Sequence, residues 1–258
     1  MRFASLGSGS EGNGLVVEAR DGAGFSRVLL DCGFNLKETT RRLQRLGLVP
    51  DDLDAILVTH EHGDHLGGVF RLARRFSIPV WASFGTLSAW TEAQRGEIGT
   101  VICGGHAPFV IGALEMRPYI VPHDAREPTQ FTFSDGMRRL GVLTDAGRAT
   151  PHIISSLSAC EALVLECNHD SELLNNSSYP WPLKQRIAGP YGHLANDTAA
   201  QILAELDRSR LSTLVAAHLS RQNNTPELAR TALAGVIGAT PMDVRVATQE
   251  DGVDWIEV

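Results

Sequence analysis

The sequence predicts an α+β fold in which two β-sheets pack face to face and helices cover both outer faces, a four-layer αββα sandwich. Short apolar runs separated by Gly-rich turns are typical of strands, and both halves of the chain mix such runs with helical patterns. A chain of 258 residues, 43 % of them hydrophobic, has a large core available. We expect one domain over residues 1–258, although periodicity alone also fits other mixed folds.

In the first half, strands are predicted where a short apolar run is bounded by turn residues. A helix is predicted at residues 36–46, because leucines recur there at helical spacing and Gly47 follows as a stop. Helical patterns also occupy residues 66–76 and 86–93. The predicted strands cover residues 2–6, 15–19, 28–31, 55–59 and 79–82.

The second half alternates strands with capped helices. Asn196 is predicted as the N-cap of a helix over residues 196–206, and Thr225, followed by a proline, as the N-cap of the next helix. Residues 175–191 are rich in proline and polar side chains, and we expect a surface loop there with a short helix at 183–187. Further strands are predicted at residues 114–121, 130–133, 139–144, 162–166, 213–217, 244–246 and 253–258.

The charge balance and the cysteines narrow the class of protein. The formal net charge is −7, whereas a protein that coats nucleic acid non-specifically is usually basic. A nuclease is still compatible with this charge, because bound divalent metals add positive charge that a residue count omits. No apolar run approaches the roughly 20 residues of a membrane span, so no membrane partner is expected. The four cysteines are scattered, which favours reduced thiols in the cytoplasm.

The segment with the clearest chemistry is residues 59–68, THEHGDHLGG, directly after a predicted buried strand. A short Gly-containing turn at a rigid strand end can aim several side chains at one point. Imidazole nitrogen and carboxylate oxygen suit zinc, iron or manganese. A solvated polar turn is the alternative, but this density of histidine favours a metal site that includes His60, His62, Asp64 and His65.

The pattern His60-x-His62-x-Asp64-His65 resembles the signature of the metallo-β-lactamase fold superfamily of hydrolases. The resemblance implies the metallo-β-lactamase fold and two divalent metal ions, zinc being expected and manganese or iron accepted by the same ligand types. The first metal would be held by His60, His62 and His123. The second would be held by Asp64, His65 and His218, with Asp145 bridging both and Asp31 supporting the ligands.

Five segments narrow the resemblance to the YycJ (WalJ) subfamily: residues 7–13, 123–125, 166–170, 192–196 and 218–226. That subfamily implies a 5′-to-3′ exonuclease acting on DNA. It also implies that His193 contacts the scissile phosphate and that Glu166 orients it, with Asp64 counted among the catalytic residues. The competing assignment makes His193 the last metal ligand and His218 structural. We favour His218 as the ligand, because it ends a predicted buried strand.

Several polar and aromatic residues can be assigned either a functional or a structural role. Uncharged side chains near the motifs are candidate substrate contacts, with turn or cap roles as the alternative: Ser8, Asn13, Ser220, Asn223 and Asn224. Trp181 and Tyr179 either stack on a nucleic-acid base or pack the loop of residues 175–191 against the core. The histidines outside the motifs are interpreted as surface or local structural residues: His106, His152 and His169.

Two other functions remain open at this level. A small-molecule hydrolase acting on a lactone, a thioester or a cyclic phosphodiester would use the same metal site. A small closed apolar pocket would favour that function, whereas an open groove favours nucleic acid. A non-enzymatic metal-binding module would give His193 and Glu166 no catalytic role. We therefore favour it less than either hydrolase function.

Overall fold

The computed structural model describes residues 1–96, 98–104 and 107–258. Fourteen strands lie within this described part of the chain. In chain order they are β1 (Arg2–Gly7), β2 (Gly14–Asp21), β3 (Gly24–Leu30), β4 (Ala55–Val58), β5 (Val80–Ala82), β6 (Thr100–Ile102), β7 (Phe109–Ile111), β8 (Leu114–Ile120), β9 (Thr129–Ser134), β10 (Arg139–Leu143), β11 (Ala162–Glu166), β12 (Thr213–Ala217), β13 (Arg245–Val246) and β14 (Val253–Glu257).

The strands form two seven-stranded sheets, in the orders β14-β1-β2-β3-β4-β5-β6 and β13-β12-β11-β10-β9-β8-β7. In the first sheet β1 to β3 are antiparallel and β3 to β6 parallel. In the second, β7 to β10 are antiparallel and β10 to β13 parallel. Because the carboxyl ends of parallel strands meet at one edge, each sheet can gather polar loop residues there.

Ten helices accompany the sheets in the described residues. They are α1 (Leu36–Arg45), α2 (Gly63–Leu66), α3 (Val69–Phe76), α4 (Phe84–Ser88), α5 (Glu92–Gly96), α6 (Pro151–Leu157), α7 (Ser171–Asn176), α8 (Trp181–Ile187), α9 (Asn196–Glu205) and α10 (Pro226–Ile237). None of these helices combines the length and the apolar character that a bilayer crossing requires.

The core is divided into three apolar layers. The middle layer lies between the sheets, where alternate residues of both, such as Phe3 and Phe131, are fully buried. One outer layer packs α1 and α3 on the first sheet through residues such as Leu43 and Leu72. The other packs α6, α9 and α10 on the second sheet through residues such as Ile202. These layers confirm the predicted αββα sandwich, since each helix buries its apolar stripe against a sheet.

Most predicted elements are present, and contacts of single residues explain two of the departures. The helix predicted at residues 66–76 is interrupted between α2 and α3, where Gly68 passes the carbonyl oxygen of Phe34 so closely that a Cβ would lie 1.9 Å from it. The prediction that Asn196 is an N-cap is wrong. Asn196 is the first residue of α9, and its Nδ2 donates to Oδ1 of Asn224 at 2.9 Å.

The short elements between β5 and β8 were only partly predicted. The strands β6 and β7 contain three residues each, too few to show an alternating pattern. The helix predicted at 86–93 is divided between α4 and α5. The start of α6 did carry a signal, because Thr150 accepts a hydrogen bond from the Ile153 amide and Pro151 follows it.

Candidate metal centre

The predicted ligands come together where the two sheets present their strand ends. The segment after β4 supplies four of them and the loops after β8, β10 and β12 supply one each. One nitrogen from each of His60, His62 and His123 lies within 4.8 Å of the others. The same holds for one atom each of Asp64, His65 and His218. The structure therefore forms the two predicted groups of three.

Asp145 lies between these groups. Its Oδ2 is 3.1 Å from Nε2 of His65, and its Oδ1 is 3.5 Å from Nε2 of His218 and 4.0 Å from Nε2 of His123. The side chain is buried. A single carboxylate thus contacts members of both groups, as a bridging ligand must.

Asp31 fixes two of the imidazole rings. Its Oδ1 accepts from the Thr59 amide and its Oδ2 from the Thr59 hydroxyl, each at 2.9 Å. Nδ1 of His65 lies 2.8 Å from Oδ2 of Asp31, and Nδ1 of His60 lies 2.9 Å from Oγ1 of Thr59. With Nδ1 occupied, each ring presents Nε2 to the common centre, which is the arrangement that outer partners give to metal-binding histidines.

Two ring nitrogens show what the cluster can hold. Nε2 of His60 and Nε2 of His218 are buried and carry no hydrogen bond to any described residue. Nδ1 of His123 is occupied by the carbonyl oxygen of Gly192 at 2.9 Å. A buried polar atom without a partner is costly, and a divalent cation would satisfy both nitrogens. The donor set of imidazoles and carboxylates therefore fits a metal site.

The backbone is strained at three of the strand ends that form the centre. Asp31, Asp145 and His218 have φ values of 59°, 53° and 57°, in the left-handed region that costs non-glycine residues about 1–3 kcal/mol each. They follow β3, β10 and β12, and this conformation turns each side chain out of its strand direction toward the centre. The strain is concentrated where function is expected.

A close approach of two loops fixes the ligand segment. Asn13 and Cys32 each donate a backbone hydrogen bond at 2.8 Å, to the carbonyl oxygens of Asp64 and His65 respectively. A Cβ on Gly33 would lie 1.8 Å from the carbonyl oxygen of Asp64. Only glycine permits this contact, so the loop after β3 holds the ligand segment in place.

His193 and Glu166 also meet, as predicted. Nδ1 of His193 lies 2.8 Å from Oε1 of Glu166, whose Oε2 accepts from the Ala146 amide at 2.9 Å. Burial lowers the pKa of His193, but the hydrogen bond and charge of Glu166 outweigh it and raise the pKa overall. The His193 ring stacks on His218, with centroids 5.4 Å apart. The raised pKa favours the protonated form of this imidazole beside the ligand cluster.

Charges within the cluster are strongly coupled. Burial lowers the pKa of His218, yet the nearby carboxylates of Asp145, Asp64 and Glu166 raise it to about 10. Burial raises the pKa of Asp145, yet His218 and His65 hold it well below its usual range. Without a metal, protons on the imidazoles of His65 and His218 balance the negative charge of the carboxylates. A cation that takes their place releases those protons, so metal affinity should rise with pH.

Two residues predicted to bind substrate contact the predicted metal ligands. Ser8 Oγ accepts from the His218 amide at 2.9 Å and donates to Oδ1 of Asn13. Nδ2 of Asn13 lies 3.3 Å from Oδ2 of Asp64 and 3.2 Å from Nε2 of His65. Both side chains are buried. Their contact with substrate stays a prediction, while their contact with the ligands is observed.

The other three predicted substrate contacts lie in the loop after β12. Asn224 is buried and its Nδ2 donates to the Cys167 carbonyl at 2.7 Å. Asn223 is fully buried, and its amide donates to Oγ of Ser220 at 3.2 Å. Ser220 is partly exposed. Among these three, Ser220 alone reaches solvent, and their role toward substrate stays a prediction.

Sequence reasoning missed two residues beside the centre. Oδ1 of Asp124 lies 3.4 Å from Nε2 of His123 and 3.8 Å from Nε2 of His62. Nε of Arg186 donates to its other oxygen at 2.6 Å. A carboxylate directly after a ligand histidine was a usable signal for Asp124, whereas Arg186 lies far along the chain, in the short helix predicted at 183–187, which is present as α8.

The remaining histidines differ in their surroundings. His152 is exposed, as expected. His169 is almost fully buried, with Nδ1 unpartnered among the described residues. Burial lowers the pKa of His169 to about 4. The prediction for His106 falls outside the described residues.

Known proteins share this architecture and much of this sequence. Residues 26–218 match the model of the beta-lactamase superfamily domain. The chain is 35 % identical over 241 residues to the exodeoxyribonuclease YycJ of Bacillus anthracis, covering 92 % of this chain and 89 % of that protein. It is 31 % identical over 251 residues to the exodeoxyribonuclease WalJ of Streptococcus pneumoniae, covering 95 % and 91 %.

Solved structures show the same fold at lower identity. The metallo-beta-lactamase fold protein YhfI from Bacillus subtilis has a TM-score of 0.74 at 15 % identity and covers 99 % of both chains. Zn(2+)-bound PqqB from Methylobacterium extorquens has a TM-score of 0.74 at 16 % identity over the whole of both chains. At this identity the likeness shows the fold alone.

Proposed function

Since the chain belongs to the beta-lactamase superfamily and, within it, to the family of the YycJ and WalJ exodeoxyribonucleases, we propose that it hydrolyses DNA phosphodiester bonds with two divalent metal ions. The observation that carries the proposal is the pair of three-residue groups that share one buried carboxylate, Asp145. The choice of DNA, and of digestion from the 5′ end, rests on the named relatives.

The ligand assignment follows the two groups. We assign His60, His62 and His123 to one ion and Asp64, His65 and His218 to the other, with Asp145 shared. The imidazole and carboxylate donors suit zinc, and manganese or iron would be accepted. Bound divalent ions of this kind supply a water acidified to near neutral pH and positive charge for a developing oxyanion.

The protein's own groups orient and protonate the substrate. Glu166 occupies Nδ1 of His193, so Nε2 is the nitrogen left to donate to a phosphate oxygen or to the leaving oxygen. The raised pKa of His193 favours the protonated form that can donate. Asp31 keeps His65 in one orientation, and Asp64 adds a carboxylate at the accessible side of the cluster. These roles make His193 the catalytic acid of the proposal.

Access to the cluster is on the side where His62 and His193 are partly exposed, and not through the cavity beneath it. A cavity of about 30 Å³ lies beneath it between the sheets, lined by residues that include Ser8, Asn13 and Thr144. That volume holds about one water molecule, which excludes a small-molecule substrate from this cavity. The side chains of His62 and His193 are 30 % and 22 % exposed on the open side. An open approach suits a strand of nucleic acid better than a closed pocket would.

Three further parts of the proposal concern the whole chain. Residues 1–258 are proposed to act as one hydrolase domain, because a single apolar layer joins both sheets. A cytoplasmic location is proposed because the four cysteines are free and buried. Of the five predicted substrate contacts, we propose that Ser220 touches DNA directly and that the others act through the ligand loops.

A substrate panel tests the function. Metal-loaded protein and the Asp145→Asn variant are compared on single- and double-stranded DNA, RNA, a chromogenic phosphodiester, a lactone and a thioester. We expect the wild type to cleave DNA with the highest kcat/KM, a chelator to abolish cleavage and the variant to be inactive. Intact nucleic acids together with rapid hydrolysis of the lactone or thioester would replace the proposal with the small-molecule hydrolase.

A further inference from the structure

Helix α8 lies on the surface, and one of its side chains bonds an aspartate beside the candidate metal centre. It has no buried residue, yet Nε of Arg186 donates to Oδ2 of Asp124 at 2.6 Å. The other oxygen of Asp124 lies 3.4 Å from Nε2 of His123. The guanidinium is therefore separated from a ligand histidine by a single carboxylate.

The chain between Arg186 and His193 is compact. The Gly189 amide donates to the Arg186 carbonyl at 3.3 Å, and the His193 amide donates to the Ile187 carbonyl at 2.8 Å. Gly147, two residues after Asp145, packs so closely on this segment that a Cβ would lie 2.3 Å from the carbonyl carbon of Pro190. The position of Arg186 relative to His193 is thus fixed by backbone contacts.

Arg186 keeps donors available to a ligand. Its side chain is 59 % exposed, and its Nη atoms make no hydrogen bond to another residue in the described part of the chain. Arg221, on the loop after β12, is instead paired with two carboxylates, Glu11 and Glu250. Arg186 is paired with one carboxylate, so its charge is less fully neutralised.

We propose that Arg186 binds the substrate phosphate adjacent to the one being hydrolysed, and so favours polynucleotides over isolated phosphodiesters. This inference rests on the proposed function. A planar guanidinium matches two oxygens of a phosphate with parallel N–H donors. The Arg186 guanidinium lies near His193 and the ligand histidines, so it is positioned to bind the neighbouring phosphate of the same strand.

A matched pair of variants tests the assignment. Arg117, in the middle of β8, is also 59 % exposed and also donates from Nε to a carboxylate, Glu115, at 2.6 Å. Arg186→Gln and Arg117→Gln therefore remove the same charge from the same kind of pair, one beside the site and one elsewhere. Arg186→Lys keeps the positive charge but removes the paired N–H donors of the guanidinium.

Each variant is assayed on an oligodeoxynucleotide and on a dinucleoside monophosphate, which has a single phosphodiester. For Arg186→Gln we expect the oligonucleotide KM to rise about ten-fold, and the preference for the oligonucleotide to fall by about the same factor. The slope of log KM against log salt should decrease by about one. Arg186→Lys should recover part of the loss, and Arg117→Gln should behave as wild type.

Three results would overturn the inference or its premise, and they are distinguishable. If Arg186→Gln keeps the wild-type KM and salt slope on DNA, the phosphate contact is wrong. If it loses bound metal by elemental analysis, Arg186 acts by holding Asp124 and His123 in place, which also overturns the contact. If the wild type cleaves neither nucleic-acid substrate, the proposed function itself fails.

Discussion

His193 and His218 lie against each other and share Glu166 and Asp145 as neighbours, but their contacts differ in distance. Nε2 of His218 is 3.5 Å from Oδ2 of Asp64 and from Oδ1 of Asp145, inside the ligand groups. Nδ1 of His193 is held at 2.8 Å by Glu166. These contacts support the prediction that His218 binds metal and His193 binds substrate, but one atom of each also lies within 4.8 Å of atoms of Asp145 and Glu166, so metal content must be measured to separate the two roles.

Removing each imidazole separates these roles. His218→Ala is expected to lower the metal content per chain, because it deletes a buried nitrogen aimed at the centre. His193→Ala is expected to keep the metal and to lower turnover by about 10²–10⁴-fold, the usual contribution of a general acid or base. Elemental analysis and kcat are measured with His152→Ala, an exposed histidine, as control. Metal loss in the His193 variant and retention in the His218 variant would reverse the assignment.

His169 makes stability depend on pH. Burial lowers its pKa to about 4, whereas the unfolded chain has the ordinary value of about 6.5. Between these values the unfolded state binds more protons, so this group's contribution is complete above pH 6.5 and is lost as pH falls toward 4. Each proton difference contributes up to about 1.4 kcal/mol per pH unit.

The measurement is the free energy of unfolding in urea from pH 4 to pH 7, for chelated wild type and His169→Gln. The variant should show a shallower fall in stability as pH decreases, whatever its absolute stability. Equal slopes in the two proteins would show that His169 does not titrate between pH 4 and 6.5 on unfolding.

At the scale of elements, the ligand loop depends on backbone proximity. A Cβ on Gly33 would clash with the Asp64 carbonyl, while nothing lies within 4 Å of a Cβ on Gly235 in α10. Gly33→Ala should therefore displace the ligand segment, lowering metal content and Tm. Gly235→Ala should raise stability by about 0.5–1 kcal/mol, because alanine is the better helix former. Full metal content in the Gly33 variant would contradict the role given to this contact.

Features that depend on adjacent residues could be predicted from the sequence, whereas features that depend on contacts between distant residues could not. The continuous apolar runs of β11 and β12 and the capped helix α10 were predictable, because their patterns and caps are adjacent in sequence. The interruption between α2 and α3 was not, since it comes from the contact of Gly68 with a distant carbonyl. Three-residue strands give too short a pattern to detect.

The candidate site shows the same limit. The motif from His60 to His65 was visible because its residues are adjacent in the chain. The left-handed backbone at Asp145 and His218 has no sequence signal, since neither is a glycine. The Arg186–Asp124 pair joins positions 62 residues apart. Such pairs depend on tertiary packing, which a single sequence does not display.

At the scale of the whole molecule, the metal centre exists only where both sheets meet. The first sheet supplies His60 to His65, and the second supplies His123, Asp145 and His218. A metal bound by both sheets stabilises the folded state over the unfolded one. We therefore expect metal binding and sheet packing to be coupled.

Thermal unfolding measures this coupling. Metal at 100 times its Kd should stabilise the fold by about 2.7 kcal/mol and raise Tm by about 5–10 °C over chelated protein. Asp145→Asn should show a smaller increase, because it weakens the shared ligand. An equal Tm with and without metal would show that the ligand groups do not bind metal in the folded state.

Digestion of end-labelled DNA tests the central claim most directly. Metal-loaded wild type, chelated wild type and Asp145→Asn are incubated with DNA labelled at the 5′ or the 3′ end. The account predicts that only the metal-loaded wild type cleaves it, releasing the 5′ label first as a very short product while the 3′-labelled strand shortens gradually. DNA left intact by the metal-loaded wild type, or cleaved equally by the Asp145 variant, would contradict the account.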